Sequence, residues 1–297
     1  MPHMADDAVP RKDGPLAGWL DRIERDARLS EPARWRERDE ALDQLEAWRT
    51  VVDASGDRTL PQRFDVLEAR LQAVDHALHG TVRESIRCGG GRDALLGLVR
   101  AGTTPGVGQA PSSDRYDALD ALIGGLLDLV PGETALQPLG TDMVFYQPTP
   151  ARHIFDALEQ LRLGPDDALM DLGAGLGHVP LLAAICTPAR CIGIEWQAAY
   201  VVAARVRAAD LGLVRAVFVQ GDLCEADLGE GTAFYLYTPV SGALLRRVLD
   251  RLRGEAERRP IRLCTLGPCT EVVAGETWLR ADGPCDRHRP VVFRSCS

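Results

Sequence analysis

Apolar side chains recur at steps of three and four along the chain up to about residue 80, which is the spacing of one face of an α-helix. Polar residues fill most positions between them, as expected for helices that bury one face. Three stripes follow one another: Leu16, Trp19, Leu20, Ile23 and Ala27; then Trp35, Leu42, Leu45 and Val52; then Phe64, Leu67, Leu71, Val74 and Leu78. The pattern predicts an all-helical N-terminal region.

Between residues 88 and 113 this pattern breaks off, and glycine, proline, serine and threonine accumulate. Such runs are typical of turns and linkers. We therefore place a Gly/Pro-rich linker here, with a helical region over 1–112 and a second domain over 113–297. We expect the helical region to cap a substrate site or to form a homodimer.

From residue 151 onward, short apolar runs typical of strands alternate with helical runs. The first five strands are predicted at Ala168–Leu172, Cys191–Glu195, Val217–Gln220, Phe234–Tyr237 and Ile261–Leu266. Strands separated by helices favour right-handed crossovers and a parallel sheet. Two further runs, 276–280 and 290–294, flank a turn-rich segment and predict a closing antiparallel hairpin. The predicted fold is α/β, with a mostly parallel seven-stranded sheet.

Composition removes several classes of function. The net charge of −9 and the pI of about 5.2 argue against binding of bulk nucleic acid, which needs a basic surface. No apolar run reaches the roughly 18 residues of a membrane helix, and the first residues lack the apolar core of a signal peptide. Without a secretory signal, the eight scattered cysteines indicate free thiols in a reducing cytoplasm. Lys12 is the only lysine and asparagine is absent, which suggests a GC-rich bacterial genome.

One glycine-rich segment follows the first predicted strand and opens a helix. It runs Asp171-Leu-Gly173-Ala-Gly175-Leu-Gly177-His178. Glycines permit a tight turn there and a close approach of ligand to backbone. A dinucleotide-binding loop has the spacing G-x-G-x-x-G, and counted from Gly173 its third glycine would fall on His178. The segment instead reads D-x-G-x-G-x-G.

Two further elements lie at the ends of the next two strands. Glu195-Trp196 ends the second strand, 18 residues after Gly177, and an acid at that position can accept both hydroxyls of a ribose. The third strand ends in Gln220-Gly221-Asp222-Leu223. Because the carboxyl ends of parallel strands meet at one edge of a sheet, we expect these elements to form one site.

In this order the three elements resemble motif I and the following strand ends of the class I, Rossmann-like S-adenosylmethionine-dependent methyltransferases, over roughly residues 140–297. The resemblance implies S-adenosyl-L-methionine as cofactor and S-adenosyl-L-homocysteine as product. It places Asp171 near the amino-acid part of the cofactor, Glu195 on the ribose with Trp196 beside the adenine, and Asp222 at the adenine amino group. The residues expected to bind the cofactor are Asp171, Gly173, Ala174, Gly175, Gly177, Glu195, Trp196, Gly221, Asp222, Leu223, Tyr237, Thr238, Pro239 and Thr149.

A segment ahead of the glycine-rich loop, Phe145-Tyr146-Gln147-Pro148-Thr149-Pro150, is of the kind that folds over the cofactor in related enzymes. Its layout, with a helical region before it, is similar to that of the non-SET histone lysine methyltransferases. Two features depart from the wider family. The motif at the fourth strand, Tyr235–Val240, lacks the Asn-Pro-Pro-aromatic signature of many amine and amide methyltransferases. The segment Gly267–Gly275 is short for the usual helix.

Methyl transfer from a sulfonium is an in-line displacement in which the protein mainly positions the reactants and excludes water. No catalytic triad is therefore needed. Tyr146 and Tyr237 are the predicted catalytic residues, His153 and Glu271 are further candidates for a general base, and His178 either contacts a ligand or only packs. The acceptor is a small molecule or a protein side chain.

Three alternatives remain at this point. The protein could bind S-adenosylmethionine without catalysis, as a scaffold. It could be an NAD-dependent oxidoreductase, although His178 stands where the third glycine belongs. Cys264, Cys269, Cys285 and His288 partly fit the spacing of a zinc site. Since Cys264 and Cys269 fall at the presumed active-site edge, we expect no metal.

Overall fold

The computed structural model describes residues 15–54, 59–102, 116–132, 136–138, 140, 142–237 and 240–296. The chain divides into two compact units, residues 1–81 with 97–105 and residues 82–96 with 106–297. The predicted boundary at residue 112 lies outside the described part and stays a prediction. Residues 91–101, placed in the linker by their composition, form a helix.

The described part of the first unit is helical, as predicted. It contains α1 (Pro15–Arg25), two short 3-10 turns (Ala27–Ser30 and Pro32–Arg34), α2 (Trp35–Ala54) and most of α3 (Leu60–Arg87). Residues from all three apolar stripes are buried together: Leu16, Leu20, Leu29, Ala41, Leu45, Val52, Leu60, Phe64, Leu67 and Leu71. Arg38 is buried with them, and its guanidinium donates to Asp75 at 2.6 Å and to the Glu31 carbonyl at 2.7 Å.

The second unit is built on a seven-stranded sheet. Its strands are β1 (Ala168–Leu172), β2 (Arg190–Glu195), β3 (Ala216–Gln220), β4 (Ala233–Tyr237), β5 (Arg262–Leu266), β6 (Leu279–Ala281) and β7 (Val291–Ser295). The spatial order is β3-β2-β1-β4-β5-β7-β6, with β7 antiparallel to both of its neighbours and every other pair parallel. The predicted fold class is confirmed.

Six further helices complete the order of elements after α4 (Gly91–Ala101). They are α5 (Ala118–Leu127), α6 (Ala151–Leu161), α7 (His178–Cys186), α8 (Ala198–Asp210), α9 (Gly242–Ala256) and α10 (Cys269–Ala274). The apolar runs of the sheet account for the core, because β1 is buried along its whole length and β4 is buried except at Tyr237. The order reverses between β1 and β4, and such a switch point opens a crevice at the carboxyl ends of the strands.

Two details differ from the sequence prediction. The short segment between β5 and β6 does form a helix, α10, of six residues. The hairpin strand β6 begins at Leu279 rather than at Glu276, because the Leu279 N–H donates to the Glu276 carbonyl and closes a turn. Within the ranges given above, no helix combines the length and the apolar character that a bilayer crossing requires.

Candidate active site

A cavity of about 1120 Å³ lies at the carboxyl ends of the strands, at the switch point. Most of the predicted binding residues reach its wall. Those that line it are Tyr146, Thr149, Asp171, Gly173, Ala174, Glu195, Trp196, Gly221, Asp222, Leu223 and Tyr237. Thr238 and Pro239 lie outside the described residues. Pockets for a single drug-sized ligand span roughly 300–1,000 Å³, so this cavity is large enough for a cofactor.

The glycine-rich loop is held in place by the end of β2. The N–H groups of Gly173 and Ala174 both donate to the Ile194 carbonyl at 2.9 Å. Gly177 has a φ of +88°, and a Cβ there would lie 2.6 Å from the Phe218 ring. Gly177 thus packs against the sheet instead of lining the cavity.

Gly175 is covered by the ring of Tyr146. Its φ is +52°, and a Cβ there would lie 1.9 Å from the Tyr146 ring. Only glycine therefore permits the contact. The Gly175 N–H donates to Glu195 Oε2 at 2.9 Å. Gly175 and Gly177 shape the loop, and their direct contact with a cofactor stays a prediction.

Glu195 has both carboxylate oxygens fixed by backbone donors. Oε2 takes the Gly175 N–H, and Oε1 takes the Gln197 N–H at 2.8 Å. Burial raises the pKa of Glu195 in spite of these hydrogen bonds. Each oxygen retains a further lone pair, which is what two ribose hydroxyls require. Beside it, the buried Nε1 of Trp196 has no partner among the described residues.

Asp171 is buried at the end of β1. Burial, followed by the charge of Glu195, raises the pKa of Asp171 well above the ordinary range of a carboxyl. Three acids, Asp171, Glu195 and Asp222, stand on the described wall of the cavity against a single arginine, Arg287. S-adenosylmethionine carries an ammonium and a sulfonium, so this wall suits its charge.

Asp222 and Gly221 continue the wall at the end of β3. The Gly221 N–H donates to the Glu195 carbonyl at 3.0 Å, which ties the two strand ends together. Asp222 Oδ1 accepts the Cys224 N–H at 2.8 Å and so caps a turn. The side chain nonetheless lines the cavity. Its contact with the adenine amino group stays a prediction.

Tyr146 and His178 form a hydrogen-bonded pair on the cavity wall. The Tyr146 hydroxyl lies 3.1 Å from His178 Nδ1. Burial lowers the pKa of His178 to about 4, so the imidazole is neutral at pH 7 and its Nδ1 can accept the tyrosine proton. Burial also raises the pKa of Tyr146, which keeps the phenol protonated. The sequence left the role of His178 open, and the structure places it at the cavity.

The segment that carries Tyr146 is fastened along its length. Met143 pairs with Val240 in an isolated antiparallel bridge. Asp142 Oδ2 accepts the N–H groups of Ala243 and Leu244 at 3.1 and 3.3 Å, at the start of α9. The Tyr116 hydroxyl donates to the Pro148 carbonyl at 2.8 Å. Residues 142–149 thus form a cover over the cavity, which we call the cover segment.

Gln197 makes a contact that the sequence did not indicate. Its side-chain Oε1 accepts the Gln137 N–H at 2.7 Å, and its Nε2 donates to the Gln137 carbonyl at 2.8 Å. The two residues are 60 positions apart, so no local pattern connects them. The only available signal was the place of Gln197, two residues after Glu195.

The remaining predicted residues separate into two groups. Tyr237 lines the cavity, and buried Tyr235 donates from its hydroxyl to Thr149 Oγ1 at 3.4 Å. His153 and Glu271 are not part of the described wall. The base candidates at the cavity are therefore Tyr146, with His178 behind it, and Tyr237.

The cysteines and histidine of the zinc alternative do not share one environment. Cys264 and Cys269 are buried, whereas Cys285 and His288 are exposed. Across the described ranges, no three His, Cys, Asp or Glu side chains come together in a way that could hold a metal ion.

Comparison with known proteins found one family model and many solved structures. The family model described as histone methylation protein DOT1 matches residues 140–211. An RNA methyltransferase from Salinibacter ruber in complex with S-adenosyl-L-homocysteine is 28% identical over 50% of this chain and 92% of its own, with a TM-score of 0.40. Precorrin-6y C5,15-methyltransferase from Geobacter metallireducens is 19% identical over 51% and 91%, with a TM-score of 0.38. A SAM-dependent methyltransferase from Aquifex aeolicus is 15% identical over 48% and 88%, with a TM-score of 0.39. No curated protein sequence matches significantly.

The sheet order, the D-x-G-x-G-x-G loop and the family match define this chain as a class I, Rossmann-like methyltransferase. Its cofactor is S-adenosylmethionine, and the non-catalytic and nicotinamide-dependent alternatives are set aside. The matched residues run from the cover segment through β1, α7 and β2 to the end of α8. They comprise the part of the domain that carries the glycine-rich loop and Glu195.

Proposed function

We propose that the protein transfers a methyl group from S-adenosylmethionine to a small-molecule acceptor held in the same cavity, by in-line displacement. The observation that carries this proposal is the Tyr146–His178 pair, which lies on the cavity wall directly over the glycine-rich loop. When bound, the cofactor supplies a methyl group on a sulfonium, which is already a good leaving group. The chain has to hold the acceptor, exclude water and remove its proton.

The proton route assigns His178 the tautomer whose Nδ1 accepts the Tyr146 proton. The Tyr146 oxygen also takes a hydrogen bond from the Leu176 backbone, which leaves one lone pair for an acceptor O–H or N–H. As the acceptor atom bonds to the methyl carbon, its proton passes to the Tyr146 oxygen and the tyrosine proton passes to His178. Neutral tyrosine is restored and His178 becomes an imidazolium. Tyr237, which also lines the cavity, remains a second candidate for this role.

Kinetics of two variants test this route. We expect Tyr146→Phe and His178→Ala to lower kcat by roughly 10²–10⁴-fold, the usual contribution of a positioned base, while S-adenosylhomocysteine still binds. In the parent enzyme the acid limb of the kcat profile should lie near pH 4, where His178 becomes protonated. An unchanged kcat in both variants would show that the pair takes no proton.

A protein side chain is the second candidate acceptor, because the matched family model describes a histone methylation protein. Transfer of labelled methyl to lysine-containing peptides, measured beside a set of small phenols, carboxylates, thiols and amines, separates the two. Label in the peptides alone would replace the small-molecule proposal.

We also propose a cytoplasmic location in a bacterium, and the free state of all eight cysteines supports a reducing compartment.

A further inference from the structure

The charged groups of the cavity are unevenly distributed. Asp171 lies in β1, Glu195 ends β2 and Asp222 follows β3, and these three strands stand together on one side of the sheet order. By the resemblance given above, all three face the cofactor. We therefore assign the three acids of the described wall to binding of the methyl donor.

The other half of the wall follows β4, β5 and the β6–β7 loop. Its described residues are mainly apolar and aromatic, with one cationic side chain. They are Tyr235, Tyr237, Val240, Leu244, Gly267, Pro268 and Arg287. An acceptor in this half meets aromatic rings, aliphatic side chains and one guanidinium.

Arg287 is held at the cavity by the end of β5. Gly267 has a φ of +85°, and its N–H donates to the Arg287 carbonyl at 2.9 Å. The Arg287 guanidinium approaches Glu271 at 3.5 Å, and these side chains are 48% and 66% exposed. An ion pair this exposed to solvent is weak. Because a guanidinium has five N–H donors, Arg287 can bind a second carboxylate beside Glu271.

We propose that the acceptor has an apolar, aromatic body and an anionic group, and that Arg287 selects it by pairing with that group. This inference rests on the proposed methyl transfer. Arginine suits a carboxylate because its planar fork offers two parallel N–H donors. A cationic acceptor, such as a lysine side chain or an amine, meets a like charge at Arg287.

Three phenols that differ in charge but little in shape serve as probes: 4-hydroxyphenylacetate, 4-hydroxyphenylacetamide and tyramine. Their binding to the full chain saturated with S-adenosylhomocysteine is measured by calorimetry, and methyl transfer to each is assayed with labelled cofactor. We expect the anion to bind at least roughly tenfold more tightly than the cation, with the amide between them. Equal affinities, or a preference for tyramine, would overturn the inference.

Charge variants show whether Arg287 is responsible. Arg287→Glu should reverse the order of anion and cation, and Arg287→Lys should keep the order with a smaller ratio. Arg289→Glu, two residues further along the same loop, is the matched control and should leave the order unchanged. If both glutamate variants change the order equally, the effect comes from overall charge and Arg287 is not the selector.

Binding of S-adenosylhomocysteine shows whether the proposed function or only the proposed acceptor class is wrong. Binding of S-adenosylhomocysteine is measured first in every variant, and this also shows that each one is folded. A parent protein that does not bind it would contradict the proposed function. A parent protein that binds it but shows no charge preference among the three phenols would contradict the acceptor class alone.

Discussion

At the scale of single residues, buried Asp171 and half-buried Glu195 dominate the electrostatics of the cavity. Burial raises the pKa of both, which means that each is protonated more readily than in an unfolded chain. In the protein without cofactor their ionisation costs stability. Their contribution to stability is fully present below the ordinary carboxyl pKa and is lost as the pH rises through the raised pKa values.

A bound ammonium has the opposite effect to burial on the pKa values of the two carboxyls. It favours the ionised carboxyls and lowers their pKa values, so cofactor binding should release protons. We therefore predict that the affinity for S-adenosylhomocysteine increases severalfold as the pH rises through the raised pKa values of the two carboxyls, and levels off above them. Titration calorimetry in buffers of different ionisation enthalpy measures both the affinity and the proton release.

The matched variant for this prediction is Asp171→Asn, which keeps the shape of the side chain and removes its titration. It should bind S-adenosylhomocysteine more weakly and with a flatter dependence on pH. Proton uptake on binding, or an affinity in the parent protein that does not change with pH, would show that neither acid faces a cation.

Gly175 offers a second prediction at this scale. Because its φ is positive and a Cβ would lie 1.9 Å from the Tyr146 ring, Gly175→Ala should push Tyr146 off the loop. We expect at least roughly tenfold loss of methyl transfer, together with weaker binding of S-adenosylhomocysteine. Gly254→Ala is the control, since a Cβ there, near the C-terminal end of α9, meets nothing within 4 Å. Equal activity of the two variants would contradict the contact.

The predicted site residues that lie nearest one another along the chain belong to a single βαβ unit. The D-x-G-x-G-x-G loop, β2 and Glu195 are close along the chain, and backbone hydrogen bonds between them are local consequences of that unit. Arg287 and Gln197 escaped prediction because their contacts depend on how distant segments meet. The same is true of Tyr146, whose place in the cavity was predicted but whose contact with His178 was not.

At the scale of elements, the cover segment and Gln137 before it are held by contacts with residues far away along the chain. Gln197 links them to the cofactor side, since its backbone N–H donates to Glu195 and its side chain clamps Gln137. The residue that fixes Glu195, the acid predicted to bind the ribose, thus also holds the chain that leads into the cover segment.

Removal of the clamp should loosen the cover without unfolding the domain. In Gln197→Ala two hydrogen bonds worth about 1 kcal/mol each are lost, so amide hydrogen exchange over 136–149 should accelerate by roughly tenfold or more. The control is Gln160→Ala, which removes another glutamine-to-backbone bond, to the Pro290 carbonyl, away from the cavity. Unchanged exchange at 136–149 in Gln197→Ala would show that the clamp does not hold the segment.

Strand and helix prediction depended on how strongly burial constrained each element. The buried strands β1 and β4 were predicted nearly to the residue, because long apolar runs between turns have few alternatives. The hairpin strand β6 was misplaced by three residues at its start, since a turn that closes on the Glu276 carbonyl leaves no apolar pattern. The sequence did not predict helix α4, because glycine-rich segments flank it, although Leu95 within it is buried.

At the scale of the whole molecule, the sequence separates a helical region from a methyltransferase domain, and each has its own buried core. Homodimerisation through the helical region stays a prediction. Sedimentation equilibrium of the full chain at micromolar concentration should give twice the chain mass of 32.3 kDa. A single chain mass across that range would leave the substrate cap as the remaining proposal for this region.

One calorimetric titration shows whether the cavity at the switch point binds S-adenosylmethionine. The purified protein is titrated with S-adenosylhomocysteine and, in parallel, with oxidised nicotinamide dinucleotide. We predict one molecule of S-adenosylhomocysteine bound per chain, no binding of the dinucleotide, and loss of binding in Glu195→Ala. Binding of the dinucleotide alone, or binding of S-adenosylhomocysteine that Glu195→Ala leaves intact, would contradict the account.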